Sequence, residues 1–158
     1  MKTEKLISVL KEKSLTISTA ESCTGGGIGH ALTAVSGSSA VYAGGVISYT
    51  NEVKEKVLGV PAEILEQYGA VSSQTAKAMA EGIRNLLQTD FGVSVTGLAG
   101  PDGDGSGKPV GLVYIGVSDK TSADAHEFVF KGDRQSVRAQ AVDAAIELLL
   151  NTIKNAEP

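Results

Sequence analysis

Apolar residues in this chain switch between helical and alternating spacings, and the switches mark out its elements. Leu6, Ile7 and Leu10 fall on one side of a short helix near the amino terminus, after which the β-branched run over residues 15–19 reads as a buried strand. A helix is predicted from near Cys23 toward Val35. Ser36-Gly37-Ser38-Ser39 marks a turn, and residues 46–49 read as a second strand ending at Thr50-Asn51, with Asn51 capping the segment that carries Lys54. Pro61 opens another short helix. Ser72 or Ser73 caps a longer one, on which Ala76, Met79, Ala80, Ile83, Leu86 and Leu87 recur at intervals of three and four. Residues 91–96, 110–117 and 127–131 read as strands, the last two paired. Gly132-Asp133 leads into a final helix with Val137, Ala141, Ala144, Ala145, Leu148 and Leu149 facing inward. Helices and strands alternate early and a hairpin comes late, so the expected fold is α/β, a single layered α/β/α domain with a mixed central sheet over residues 1–158.

Composition narrows the function classes. At 158 residues and 42% hydrophobic content the chain can bury one sizeable core. Its 14 basic and 18 acidic residues give a net charge of −4, and no basic run offers a footprint for a phosphate backbone. Four Tyr, three Phe and no Trp supply too few aromatics for base stacking, so no nucleic-acid partner is expected. The single cysteine, Cys23, excludes an internal disulfide framework and a cysteine-rich zinc site. The segment 1–13 is too charged for a signal peptide and no apolar run approaches a membrane span, so the expected location is cytoplasmic, away from the membrane.

Three polar, glycine-rich strand ends stand out, at residues 20–27, 48–54 and 96–108. Ligands of open α/β sheets gather beyond the carboxyl ends of strands, so these three are expected to converge. The long glycine loop at 97–109 fits none of the familiar phosphate or metal motifs. A Walker loop ending at Lys108 needs glycine at Asp102 and Ser or Thr at Pro109; a calcium loop starting at Asp102 needs its closing carboxylate at Val113. A dinucleotide fingerprint starting at Gly25 or Gly27 needs glycine at His30 or Leu32. As a bare pattern, the loop equally suits a surface connection.

The run Glu21-Ser22-Cys23-Thr24-Gly25-Gly26 carries the most chemical information. A hydroxyl placed at a strand-to-helix turn has free backbone N–H groups beside it, which suit a developing oxyanion; the same serine also suits an ordinary helix cap. Cys23 is a rival nucleophile or a packing residue. His30 and His126 lack a supporting local motif, and His30 lies two helical turns beyond Ser22. Lys54 is the better base if burial keeps its amine neutral, and otherwise one solvated cation among Glu52-Val53-Lys54-Glu55-Lys56. Tyr49 has a hydroxyl to offer the serine, the lysine or a substrate, or is simply a strand-end aromatic. Arg134 and Arg138, one turn apart, suit a phosphate or carboxylate, or surface ion pairs.

Taken together, these segments resemble the CinA C-terminal domain family, whose enzymatic members are nicotinamide mononucleotide deamidases. The resemblance covers nearly the whole chain. It rests on Ser18-Thr19-Ala20-Glu21-Ser22-Cys23-Thr24-Gly25-Gly26, Gly45-Val46-Ile47-Ser48-Tyr49-Thr50-Asn51-Glu52-Val53-Lys54, Leu58-Gly59-Val60 and Gly69-Ala70-Val71-Ser72. Thr96-Gly97-Leu98-Ala99-Gly100-Pro101, Lys108-Pro109-Val110-Gly111 and Gly132-Asp133-Arg134-Gln135-Ser136-Val137-Arg138 complete it; Leu98 stands where isoleucine is expected. The resemblance implies Ser22 as nucleophile, Lys54 as base and Tyr49 as third polar partner. It implies a substrate pocket drawing on Thr24, Gly25, Gly26, Thr96, Gly97, Gly100 and Arg138. It implies hydrolysis of nicotinamide mononucleotide to nicotinic acid mononucleotide and ammonia in pyridine-nucleotide salvage, with no metal or other cofactor. It further implies a homo-oligomer of the stand-alone form, without the pyrophosphatase-type domain of two-domain members. The alternative it leaves is a nucleotide-binding or regulatory module of the competence or damage-inducible type.

Overall fold

A computed structural model describes residues 1–156. In chain order the elements are α1 (Lys2–Lys13), β1 (Ile17–Glu21), α2 (Gly27–Thr33), a 3-10 turn (Ser38–Ala40), β2 (Tyr42–Ile47), α3 (Asn51–Lys56), α4 (Ala62–Tyr68), α5 (Ser73–Leu87), β3 (Phe91–Gly97), β4 (Leu112–Ser118), β5 (Ala123–Val129) and α6 (Arg134–Lys154). The five strands form one mixed sheet in the order β2-β1-β3-β4-β5. β1 pairs in parallel with both β2 and β3, so the carboxyl ends of these three strands share one edge. β3, β4 and β5 continue the sheet as antiparallel neighbours.

Alternation along the strands explains the two helical layers. Ile17, Phe91, Val93, Val95, Ile115 and Val117 face a core shared with α1, α2 and α6, to which Leu6, Leu10, Ile28, Leu32, Val137, Leu149 and Ile153 contribute. The opposite face carries small residues under α5. Gly92 pairs with Ser118, and Ser94 with Gly116. The hydroxyls of Ser94 and Ser118 donate to the α5 carbonyls of Ala76 and Ala80 at 2.6 and 2.7 Å. The helix therefore lies close against the sheet, held by side-chain hydrogen bonds as well as by its apolar residues Ala76, Met79, Ala80 and Ile83. A Cβ added at Gly116 would land on the Ala76 carbonyl oxygen. Gly116→Ala is expected to lower the unfolding free energy by about 1–3 kcal/mol, measured by denaturant unfolding, because α5 must lift off to admit the methyl group.

Several expected boundaries move, for physical reasons. The second strand begins at Tyr42 and ends at Ile47, not at 46–49, because it runs straight through Gly44 and Gly45. Gly45 is required there, since a Cβ would strike the Thr19 side chain and carbonyl. Thr50, not Asn51, caps α3, its hydroxyl accepting from the Val53 N–H at 3.3 Å. The helix expected from Cys23 starts only at Gly27; Gly25 and Gly26 have φ of +59° and +101° and turn the chain first. β4 starts at Leu112, two residues late, and β5 spans Ala123–Val129 instead of 127–131. Leu86 and Leu87 stay exposed at the end of α5, while Ile146, Leu150 and Ile153 join the buried face of α6.

Candidate active site

Ser22 follows the last residue of β1. Its N–H still donates to the Val95 carbonyl at 3.0 Å, so the backbone is tied to the sheet while the side chain emerges at the shared carboxyl edge. One strand over, the Ser48 N–H donates to the Glu21 carbonyl at 2.8 Å and ties down the end of β2. The chain then turns into α3, whose inward residue is Lys54. Its Nζ lies 3.1 Å from Ser22 Oγ, 2.7 Å from the Ser48 carbonyl and 3.5 Å from the Tyr49 carbonyl.

Lys54 is only 1% exposed, and no carboxylate pairs with it among the described residues. Burial disfavours the ammonium form and pulls its pKa from 10.5 down to about 8. A neutral amine has two N–H groups and one lone pair. The Ser48 and Tyr49 carbonyls can take both of those N–H groups, which leaves the lone pair for the Ser22 hydroxyl in place of the donation that the ammonium form makes to Oγ. The arrangement can therefore take a proton from the serine.

Cys23, the rival nucleophile, belongs to the buried core, and burial pushes its thiol up to about 11. That is two units above its ordinary 9.0, which leaves about a hundredfold less thiolate at neutral pH. Alkylation of Cys23 by iodoacetamide in the folded protein is expected to be slower than that of a free thiol by at least about this factor. His30 and His126 are both exposed, and neither lines the cavity at Ser22.

The three glycine-rich segments do converge. A cavity of about 320 Å³ is lined by Ser22, Cys23, Tyr49 and Lys54, by residues 96–100 of the third segment, and by Asp102, Asp104, Arg134, Ala70 and Val71. This volume falls within the range of small-molecule sites. A larger depression of about 790 Å³ lies between α4 and the outer side of α5, and none of its lining residues is Ser22, Lys54 or any other paired nucleophile and base.

Within the cavity the expected residues take different positions. Thr96 is buried, its hydroxyl donating to the Ala70 carbonyl at 2.7 Å. Gly97 and Gly100 shape the wall; a Cβ at Gly97 would meet Val113, and Gly100 has a φ of +91°. The Tyr49 phenol does not reach Ser22 or Lys54. It is 61% exposed and accepts from Arg134 Nη2 at 3.3 Å, so it is the Tyr49 carbonyl that meets the lysine.

Thr24, Gly25, Gly26 and Arg138 do not line the cavity. Arg138 donates from Nε to the Cys23 carbonyl at 3.0 Å and from Nη2 to the Thr24 carbonyl at 3.2 Å, which holds the loop from outside. Arg134 is the guanidinium at the cavity wall, and its Nη1 donates to the Gly100 carbonyl at 2.6 Å. Sequence reasoning did not single out Glu21, whose buried carboxylate gathers the loop's donors. Its one signal was a charge closing an apolar strand, where a carboxylate needs partners.

The chain matches the family described as the CinA C-terminal domain over residues 1–153. It is 51% identical over 146 residues to a CinA-like protein from Parasynechococcus marenigrum, covering 91% of this chain and 35% of that protein. It is 48% identical over 141 residues to a CinA-like protein from Endomicrobium trichonymphae, covering 89% of this chain and 33% of that one. The chain thus spans about a third of the length of these curated relatives. Among solved structures, a CinA superfamily protein from Klebsiella pneumoniae superposes with a TM-score of 0.95 at 34% identity, covering 98% of this chain and 97% of that one. The competence/damage inducible protein CihA from Agrobacterium tumefaciens gives 0.89 at 42% identity, covering 96% of each chain. A family match over nearly the full length, with the same mixed sheet in solved relatives, establishes that this chain belongs to the CinA C-terminal domain family.

Proposed function

We propose that this protein hydrolyses the carboxamide of nicotinamide mononucleotide to the carboxylate and ammonia, with Ser22 as nucleophile and Lys54 as base. The observation that carries this reading is the buried, unpaired Lys54 amine, 3.1 Å from the Ser22 hydroxyl at the mouth of a small-molecule cavity. The substrate itself comes from the family resemblance, as does a homo-oligomeric state; a cytoplasmic setting comes from the single cysteine and the charged amino-terminal segment.

In this scheme neutral Lys54 takes the Ser22 proton as Oγ attacks the amide carbon. The Gly25 N–H is already held by the Ser22 carbonyl at 3.1 Å and Thr24 does not line the cavity, so the oxyanion falls to the main-chain N–H of Cys23. The lysinium then protonates the departing amine, which leaves as ammonia. Water enters, gives its proton to Lys54 and attacks the acyl carbon; the proton returns to Ser22 Oγ as the acid departs. Arg134 is the cation placed for an anionic part of the substrate, since it lines the cavity and Arg138 does not.

The test is ammonia release from nicotinamide mononucleotide by the purified protein, with nicotinamide, nicotinamide riboside and NAD as comparison substrates. Release that requires the mononucleotide supports the reading. Binding of the nucleotide without ammonia would favour a regulatory nucleotide-binding module instead, a reading in keeping with the competence/damage inducible name of the Agrobacterium tumefaciens neighbour.

A further inference from the structure

The residue before the nucleophile is a carboxylate that the mechanism above does not use. Glu21 is 2% exposed at the end of β1. Its Oε1 accepts from the Thr24 hydroxyl at 2.6 Å and from the Ile28 N–H at 2.8 Å, and its Oε2 accepts from the Gly29 N–H at 3.0 Å. One side chain therefore reaches across the whole turn that follows it, joining the Ser22–Thr24 corner to the first turn of α2. Gly29 itself is needed for another neighbour, since a Cβ there would crowd the Tyr42 hydroxyl while meeting the Glu21 carboxylate at ordinary contact distance.

The same turn is gripped from its other side. Arg138 takes the carbonyls of Cys23 and Thr24, while Glu21 takes the hydroxyl and N–H donors. Gly25 and Gly26, both in the left-handed region, leave this five-residue stretch between Glu21 and Gly27 without a regular hydrogen-bond ladder of its own. Two short turn bonds, from the Gly25 N–H to the Ser22 carbonyl and from the Gly27 N–H to the Thr24 carbonyl, lie within it, and the two opposite charges hold it from either side. Ser22 sits between Glu21 and the residues they hold, so a change in the turn displaces Oγ relative to Lys54.

We infer that Glu21 is a positioning residue, whose carboxylate, by accepting from Thr24, Ile28 and Gly29, fixes the turn that aims Ser22 Oγ at Lys54. Only a carboxylate fits this task. All three partners are donors, and a glutamine would replace one acceptor by an NH2 group facing an N–H. A misaligned nucleophile loses rate without losing its own chemistry.

This inference rests on the proposed role of Ser22, so its test separates the nucleophile from the amide substrate. Wild-type, Glu21→Gln and Thr24→Val proteins are treated with p-nitrophenyl acetate; the nitrophenolate burst gives the acylation rate, and peptide mass spectrometry locates the acyl group. Ammonia release and circular dichroism are followed in parallel. Folded Glu21→Gln is expected to acylate Ser22, and to turn over, about 10- to 100-fold more slowly than wild type. Its KM should change by less than about threefold, with the pH midpoint of the rate unmoved, which a general loosening of the fold would not produce.

Thr24→Val, which removes one of the three donors, should fall between the two. Wild-type acylation in folded Glu21→Gln overturns the inference; should that variant fail to fold, wild-type acylation in Thr24→Val does so. Acylation that is fast in wild type and slow in Glu21→Gln, with no ammonia from any protein, would sustain the role of Glu21 and remove the amide reading. A wild-type protein whose Ser22 takes no acyl group overturns both.

Discussion

Replacing Ser22 by alanine is expected to lower ammonia release from nicotinamide mononucleotide by at least roughly a thousandfold, while the protein still folds and still binds the nucleotide. Among the described residues, Ser22 carries the cavity hydroxyl within hydrogen-bond distance of the buried amine; Cys23 beside it is held as a thiol by burial. Water would have to take the place of Oγ without the alignment that the end of β1 gives. The affinity for the nucleotide should change by less than about threefold, because the removed atom contributes to the bond-making step and little to the ground state. Steady-state ammonia assays and equilibrium nucleotide binding check the two halves separately. A Ser22→Ala protein with full turnover would remove Ser22 from the mechanism and leave the cavity without a nucleophile of matching geometry.

Lys54→Met is expected to cost about 10²- to 10⁴-fold in turnover, the range of a lost general base. Methionine keeps most of the buried volume and removes the amine. In wild type the rate should rise about tenfold per pH unit below a midpoint near 8 and level off above it, because only the neutral amine accepts the serine proton. At pH 7 about a tenth of the lysine is in that form. Lys54→Met should lose this limb.

Protonation of the same lysine links the site to stability. Its folded pKa, about 8, lies below its ordinary 10.5, so between those values the unfolded chain binds more protons and stability rises with pH. Below about 8 both states carry the proton, and the penalty for burying the charge is felt in full. Denaturant unfolding of wild type and Lys54→Met through that window reads the difference. A wild-type rate independent of pH through neutrality would show that Lys54 is not the base.

Much of the fold was legible because its periodicities are strong. The inward faces of α1 and α5 follow from Leu6, Ile7 and Leu10 and from Ala76, Met79, Ala80 and Ile83, where the helical spacing leaves one arrangement. Boundaries went astray where glycine is read as punctuation. β2 continues through Gly44 and Gly45: Gly44 has a φ of +140°, a close neighbour, Thr19, demands the missing side chain of Gly45, and no local pattern announces either demand. The stretch after Ser22 looked like the start of a helix, yet Gly25 and Gly26 turn it into a separate corner. Leu86 and Leu87 fit the apolar stripe of α5 but remain exposed at its last turn.

For the site, residue types and order were enough to name Ser22 and Lys54 as a candidate pair and to point to three converging strand ends. Their 3.1 Å separation, the burial of the amine and its lowered pKa belong to the tertiary structure. So do the different positions of the arginines, with Arg134 at the cavity and Arg138 on the loop carbonyls, which one-turn spacing on a helix cannot distinguish. The division has a physical reason. Sequence alone determined which segments are helix or strand and which polar residues end the strands, since both follow from local spacing and backbone preference. Only the packed sheet decided which polar groups lose water and which meet, because desolvation and hydrogen-bond distance depend on neighbours brought together from distant parts of the chain.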